Sequence, residues 1–205
     1  MKRTFKVLGL ALVAVLALSA VIASAASAAE NFVAEEAATV SVSSNETQVF
    51  TYTAGGAQVK CTGTQVSAAV TTSSPEVTAT PSYSGCTGPG GITAHVQFNG
   101  GCDFLFTING QVHVCPGGGT VTIVVTGLCT YHFSAQTVSV VTYDNIGSGT
   151  TKEVKLTPEV TGITATNTNP GFLCGPESST TGTYSGSVTL TAVNSEGKHV
   201  GITVD

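Results

Sequence analysis

Six cysteines carry the most definite chemistry in this sequence, and all of them lie between residues 61 and 174. Cysteine thiols form disulfides or, as thiolates, bind zinc. Zinc sites are typically built from C-x-x-C pairs, which this sequence lacks, and Cys129 with His132 has no second matching pair. An even number of cysteines in an oxidising compartment indicates disulfides. We therefore expect three bonds among Cys61, Cys86, Cys102, Cys115, Cys129 and Cys174.

Six cysteines allow 15 connectivities, but the local sequence favours one of them. Cys102 and Cys115 flank the segment Ile108-Asn109-Gly110, and Asn-Gly between two alternating runs predicts a β-hairpin that brings its flanks together. Cys86 and Cys174 each lie in a loop rich in glycine and proline, which a bond to a strand would hold in place. The expected bonds are Cys61–Cys86, Cys102–Cys115 and Cys129–Cys174.

Histidines offer the second kind of chemistry. His95, His113 and His132 fall on the polar faces of predicted strands, as does His199. If the strands of the first three are neighbours, their imidazoles could converge into a metal or acid–base site. The alternative is three separate solvent-exposed histidines, which we favour because nothing else in the sequence links them. We therefore assign no catalytic, cofactor-binding or metal-binding residue.

Other motifs of catalysis and ligand binding are missing from the sequence. It has no G-x-S-x-G nucleophile motif, and its glycine runs lack the Lys-Ser/Thr ending of a phosphate-binding loop. Asp103 and Asp144 are expected to be unconnected surface acids, and the predicted loop 144–149 lacks the spacing of a calcium loop. We predict that the protein is not an enzyme and uses no cofactor.

The segments that position these side chains alternate apolar and polar residues with the period of two that predicts β-strands. In residues 92–98, four apolar side chains alternate with Thr93, His95 and Gln97. Most segments have one apolar face and one face rich in threonine and serine, as antiparallel sheets with a solvated outer face do. We predict an all-β fold, an antiparallel β-sandwich of roughly a dozen short strands that disulfides hold together.

The N-terminus has the layout of a secretory signal peptide. Lys2, Arg3 and Lys6 precede a charge-free apolar run, which ends in two consecutive A-x-A sites at residues 23–28. We therefore expect residues 1–28 to be a signal peptide and residues 29–205 to be a single β-sandwich domain. An alternative is a division of that domain near residue 134, but the expected bond between Cys129 and Cys174 would tie the two halves together.

Charge excludes some classes of partner. Once the signal peptide is removed, four lysines remain against twelve carboxylates, which gives a net charge of −8. Nucleic acids and anionic lipids both require clustered lysine and arginine. We expect neither as a partner, nor a transmembrane segment in the mature chain, and we expect a monomer.

The cysteine and glycine spacing resembles that of uncharacterised secreted proteins of Gram-positive actinobacteria. The resemblance spans residues 45–205. It implies export, disulfides and a β-rich fold, and it implies no activity or functional residue. The motifs that carry it are Gly101-Cys102, Phe104, Phe106, Val114-Cys115-Pro116, Gly118, Ile123 and Cys129, followed by Cys174-Gly175, residues 182–186, Gly197 and residues 200–204.

From these observations we expect a secreted or envelope-associated protein with a structural or interaction role and no catalysis. Its partner would be an extracellular protein or a glycan. One alternative is a carbohydrate-binding module that uses Tyr83, Tyr143 and Tyr184, although the sequence has no tryptophan. A further alternative is a small secreted hydrolase that uses the histidine-bearing face.

Overall fold

The computed structural model describes residues 31–44, 46–54 and 56–205. Within these ranges the chain forms eighteen β-strands and two short 3-10 turns, Pro89–Gly91 and Gly149–Thr151. The expected signal peptide, residues 1–28, lies outside the described residues. In chain order the strands are β1 Phe32–Ala34, β2 Ala38–Ser44, β3 Gln48–Thr51, β4 Gln58–Val70, β5 Ser73–Ser74, β6 Glu76–Thr87, β7 Ala94–Asn99, β8 Phe104–Thr107, β9 Gln111–Val114, β10 Thr120–Val125, β11 Cys129–Phe133, β12 Gln136–Ser139, β13 Val141–Ile146, β14 Glu153–Asn167, β15 Ser178–Ser185, β16 Val188–Val193, β17 His199–Val200 and β18 Ile202–Val204.

Fifteen of these strands form one sheet and three form a small second sheet, and every pairing is antiparallel. The main order is β12-β9-β8-β6-β4-β2-β16-β14-β11-β10-β7, from which β3, β13, β15 and β17 branch, and the small sheet has the order β18-β1-β5. The predicted all-β, disulfide-linked antiparallel sandwich is thereby confirmed. More strands are present than the predicted dozen, because strands of two or three residues are too short to show alternation.

Alternation along the longer strands places their apolar faces inside. In β7, Ala94 is buried while His95 and Gln97 are exposed, as the period of two requires. The neighbouring strand β10 has three fully or nearly fully buried aliphatic side chains, and it pairs with β7 on one side and β11 on the other. The sequence pattern therefore predicts this part of the sheet correctly.

The predicted hairpin is formed by β8 and β9, whose Phe104 pairs with Val114. Its turn needs glycine at position 110 for two reasons. Gly110 has φ 79°, which a side chain disfavours, and a Cβ at this position would lie 2.6 Å from the backbone oxygen of Val141.

The segment 144–149, expected to be a loop, is a loop only in its second half. Asp144 and Asn145 belong to β13, where Asp144 lies opposite Lys155 of β14. The chain turns at Gly147, which has φ 78°. The turn-forming residue types of this segment gave a misleading signal, because β-pairing with the long strand β14 overrides the weak local preference of Asp and Asn.

Two clusters of buried side chains form the core. One contains mostly aliphatic residues from the middle of the main sheet. The other contains all six cysteines together with the aliphatic and aromatic residues of β10 and β11. Phe104, Val114 and Ile163 pack against both clusters and join them.

Strands from both sides of residue 134 pair with each other: β2 pairs with β16, and β3 pairs with β15. The assignment of residues 29–205 to one domain stays a prediction. In the parts of the chain that are described, no helix has the length and apolar character needed to cross a membrane.

Candidate functional site

The three disulfides are Cys61–Cys86, Cys102–Cys115 and Cys129–Cys174, the same pairs that were expected from the local sequence. Cys61 and Cys86 are directly opposite each other on β4 and β6. Cys86 therefore lies in a strand and not in the loop that its glycine- and proline-rich surroundings predict, because pairing with β4 extends β6 to Thr87. The bond Cys102–Cys115 closes the base of the β8–β9 hairpin. In the described residues all the cysteines are bonded.

The third disulfide holds the loop between β14 and β15. It joins Cys174, in that loop, to Cys129 at the start of β11. The carbonyl of Cys174 accepts hydrogen bonds from the Tyr131 hydroxyl and from Nδ2 of Asn167, both at 3.2 Å. Asn167 is almost completely buried, with an exposed fraction of 1%. One covalent bond and two buried hydrogen bonds therefore fix the position of Cys174.

The loop forms a tight turn between Gly171 and Gly175, and this turn includes Cys174. The amide of Gly171 donates to the Gly175 carbonyl at 3.0 Å, and the amides of Cys174 and Gly175 donate back to the Gly171 carbonyl at 3.0 and 2.8 Å. This tight backbone turn leaves Phe172 and Leu173 at its outer end. We call these two residues the apolar tip.

The apolar tip contains two of the four large apolar side chains that are exposed in the described part of the chain, and the other two are Val140 and Ile146. Phe172 is fully exposed, at 102% of its reference area, and Leu173 is 49% exposed. A single exposed leucine is ordinary on a protein surface, but a fully exposed aromatic ring on a turn held by a disulfide is not. The apolar tip is therefore the first candidate functional site.

The histidines do not come together as one group. His95 and His132 lie on β7 and β11, on opposite sides of β10, where they pair with Val124 and Thr122. His113 lies on β9, near the other end of the sheet order, and its Nδ1 is 2.9 Å from Oγ1 of Thr137. Within the described ranges, no three His, Cys, Asp or Glu side chains are close enough to hold a metal ion.

Asp103 and Asp144 are also unconnected. Asp103 is half-buried beside Cys102, and its backbone carbonyl accepts a hydrogen bond from the amide of Cys115 at 2.8 Å. Asp144 is exposed on β13. Asp103 thus lies just before β8 and Asp144 lies in β13.

The tyrosines considered for sugar binding have their hydroxyl groups engaged inside the protein. Tyr184 donates to Oε1 of Gln48 at 2.6 Å, and its hydroxyl is 3.4 Å from that of Tyr83. Tyr143 donates to the Thr107 carbonyl at 2.9 Å. Burial raises the pKa of Tyr184 to about 12 and raises that of Tyr83 well above its usual value. These rings pack inward and do not form an exposed platform.

A cavity in the core is the second candidate site. It has a volume of about 100 Å³, and aromatic and aliphatic side chains line nearly all of it. Four of them, Val66, Phe106, Leu156 and Val188, also line a second apolar cavity of about 50 Å³. Protein interiors are normally packed without such spaces, so the two adjacent cavities are a distinctive property of this core.

One polar atom in the lining of the larger cavity has no partner. Thr64 on β4 lines the cavity and is only 3% exposed. Among the described residues, its Oγ1 is the one buried side-chain nitrogen or oxygen atom that has no hydrogen-bond partner. Leaving a buried hydroxyl unsatisfied costs about 1–3 kcal/mol, so Thr64 is a group that a ligand could satisfy.

Neither candidate site was found from the sequence. The sequence predicts a loop at residues 171–176, and an apolar pair between a glycine and a cysteine is the signal that points to the apolar tip. Thr64 lies in the run Cys61-Thr62-Gly63-Thr64, where nothing distinguishes an inward threonine from an outward one. Comparison of the chain with protein-family models, with curated proteins and with solved structures finds no match.

Proposed function

We propose that the protein is a secreted or envelope-associated interaction protein without catalytic activity, of the kind that its sequence resembles in Gram-positive actinobacteria. The observation that supports this proposal is the apolar tip. It presents Phe172 and Leu173 to a partner from a turn that the Cys129–Cys174 bond holds in place. The three disulfides accord with an oxidising, extracellular compartment.

Physical chemistry makes such a tip a good binding element. Burying a phenylalanine side chain contributes about 1.5–3 kcal/mol, and aromatic residues are enriched in the centres of protein interfaces. Ordering a flexible loop on binding opposes association, whereas a preorganised loop avoids most of that cost. The backbone bonds between Gly171 and Gly175 provide this preorganisation.

The partner that fits best is a protein with an apolar pocket. The mature chain carries four lysines against twelve carboxylates, which opposes binding to an anionic membrane surface. A glycan platform would need several exposed rings, and Tyr83, Tyr143 and Tyr184 are engaged inside the protein. A hydrolase would need converging histidines, which the described residues do not provide.

The experiment compares binding of three labelled proteins to cells of the source organism: the wild type, Phe172→Ser and Ile146→Ser. Ile146 is a matched control because it is also an exposed apolar residue, at 38%, and lies outside the tip. We expect saturable binding of the wild type and the control, and at least about ten-fold weaker binding of Phe172→Ser. Equal binding of all three proteins would contradict the proposal.

A further inference from the structure

A gap in the sheet lies next to the larger cavity. On one side of β14, pairing with β13 ends at Pro158, and pairing with β11 begins at Thr166. The strand between them in sequence, β12, pairs with β9 instead of β14. The chain returns to β14 only at Val140, whose carbonyl accepts a hydrogen bond from the amide of Glu159 at 3.0 Å. On this side of β14, residues 159–165 therefore lie beside β12 and Val140 without forming a backbone ladder with them.

The bend that opens this gap is built into the backbone. Val140 has φ 88°, in the left-handed region that β-branched residues rarely adopt. Further along the gap, the pairing of β14 with β15 on its other side has register shifts around Ile163. The backbone thus departs from regular geometry at two places along the gap, and such departures cluster at functional sites.

One side chain closes the far end of the gap. Nε2 of Gln136 donates to the Thr164 carbonyl, and Oε1 of Gln136 accepts from the Thr164 amide, both at 2.9 Å. The amide of Gln136 thus replaces a pair of ladder bonds between β12 and β14. We call this pair of bonds the Gln136 clasp. A side chain can rotate away from such a position, whereas a backbone ladder cannot.

The gap borders the cavity directly. Six residues along its two sides all line the 100 Å³ cavity: Gln136, Val138, Val141, Pro158, Val160 and Ile163. The side chains of this lining that are described are uncharged. Thr64, whose hydroxyl has no partner, lines the same space. A site with these properties suits a neutral molecule that is mostly hydrocarbon and has one group able to hydrogen-bond with a hydroxyl.

We propose that the cavity binds a small neutral alcohol of mainly hydrocarbon character, that Thr64 hydrogen-bonds with its hydroxyl, and that the Gln136 clasp opens to admit it. The size follows from the volumes. An apolar cavity of about 150 Å³ takes a ligand the size of benzene. The larger cavity has about 100 Å³, and the second, with which it has four lining residues in common, has about 50 Å³. This site is separate from the apolar tip, and either proposal can fail without the other.

The first experiment titrates 1-hexanol into the oxidised protein and measures binding by calorimetry. We expect one saturable site. Thr64→Val keeps the shape of the side chain and removes its hydroxyl, so we expect about five-fold weaker binding. Gln65→Ala, on the exposed side of the same strand, is the matched control and should bind as the wild type does. Non-saturable binding, or equal binding by Thr64→Val, would overturn the proposal.

Charge and volume are tested next. Hexanoate should bind at least about ten-fold more weakly than 1-hexanol, because its carboxylate would be buried without a cation. Val188→Phe should abolish binding, because Val188 lines both cavities and a larger side chain there would fill space in them. Should this larger side chain prevent folding, the isosteric Thr64→Val decides the question. Hexanoate binding as tightly as 1-hexanol would contradict a neutral ligand.

The role of the clasp is tested by rates. Gln136→Ala should accelerate both association and dissociation of 1-hexanol, as measured by NMR line shapes, with less than about a three-fold change in the dissociation constant, since Gln136 is placed at the entrance. Gln97→Ala, an exposed glutamine on β7, is the control. Unchanged rates in Gln136→Ala would refute entry through the gap.

Discussion

Phe172 and Cys174 are two residues apart, yet Phe172 is 102% exposed and Cys174 is only 3% exposed. The chain passes from full solvent exposure to the core within one turn. It does so because the Cys174 sulfur is bonded to Cys129 and the Cys174 carbonyl is held by Tyr131 and Asn167. The apolar tip therefore stays exposed, because Cys174 is held in the core and cannot move outward to let Phe172 and Leu173 turn inward.

Removing the anchoring disulfide should destabilise the protein more than removing the hairpin disulfide. The bond Cys129–Cys174 spans 45 residues and Cys102–Cys115 spans 13. In the chain-entropy model these loops correspond to about 4 and about 3 kcal/mol. We expect the double variant Cys129→Ala/Cys174→Ala to unfold at lower guanidinium concentration than Cys102→Ala/Cys115→Ala.

Both pairs are buried, so each double variant is the control for the other. The reverse order of midpoints would show that the loop between β14 and β15 is not held mainly by its disulfide.

Asn167→Ala should loosen the apolar tip. The substitution removes one of the two buried hydrogen bonds to the Cys174 carbonyl, at a cost of about 1–3 kcal/mol. We expect the amides of Gly171 and Gly175 to exchange with solvent faster, as measured by NMR. Asn169→Ala, at an exposed position nearby, should leave these amides protected. Equal exchange in the two variants would argue against Asn167 as an anchor.

Alkaline pH should destabilise the fold through its buried tyrosines. Burial raises the pKa of Tyr184 and of Tyr131 to about 12, while in the unfolded chain these hydroxyls ionise near pH 10. Above pH 10 the unfolded state therefore releases protons that the folded state keeps. The stabilisation that these two tyrosines contribute is fully present below pH 10. The free energy of unfolding then falls as pH rises from 10 to about 12.

Urea unfolding at a series of pH values checks this expectation, and absorbance at the tyrosinate wavelength reports the titration. Tyr184→Phe should make the decline with pH less steep. Tyrosinate formation near pH 10 in the folded protein would contradict the inward packing of these rings.

Thr64→Val should leave the ligand-free protein as stable as the wild type or more stable by about 1 kcal/mol, because it removes a buried hydroxyl without a partner. Thr122→Val is the matched control. Thr122 is also buried, but its Oγ1 accepts a hydrogen bond from Nδ2 of Asn99 at 3.0 Å, so the control should lose stability in thermal unfolding. A similar loss in both variants would mean that the Thr64 hydroxyl has a partner.

The sequence was sufficient for the fold class and for the bond between Cys102 and Cys115, because alternation and hairpin signals are local. The Asn109-Gly110 turn brings Cys102 and Cys115 together with little contribution from the rest of the chain. The same locality explains the error at Asp144 and Asn145. Their preference for turns was outweighed by pairing with β14, a partner that becomes adjacent only in the folded sheet.

The candidate sites depend on relationships between distant strands and could not be predicted from local patterns. Thr64 lies on the same face of β4 as the buried Ala68 and Val70, whereas the buried Val59 and Cys61 before it follow the opposite alternation, so a simple period of two does not place Thr64 inside. The Gln136 clasp joins residues that are 28 positions apart in the sequence, and it forms only because the folded chain brings β14 beside β12. The sequence predicts the polar strand faces that carry His95, His113 and His132. It does not predict the order of the strands, and that order separates the three residues.

Site-specific photo-crosslinking tests the central claim most directly. A photoreactive phenylalanine analogue is placed at position 172, or at position 146 as the control, and the protein is irradiated on cells of the source organism. The account predicts one discrete adduct to a surface protein from position 172 and none from position 146. No adduct from position 172, or the same set of adducts from both positions, would contradict the role of the apolar tip as the partner-binding site.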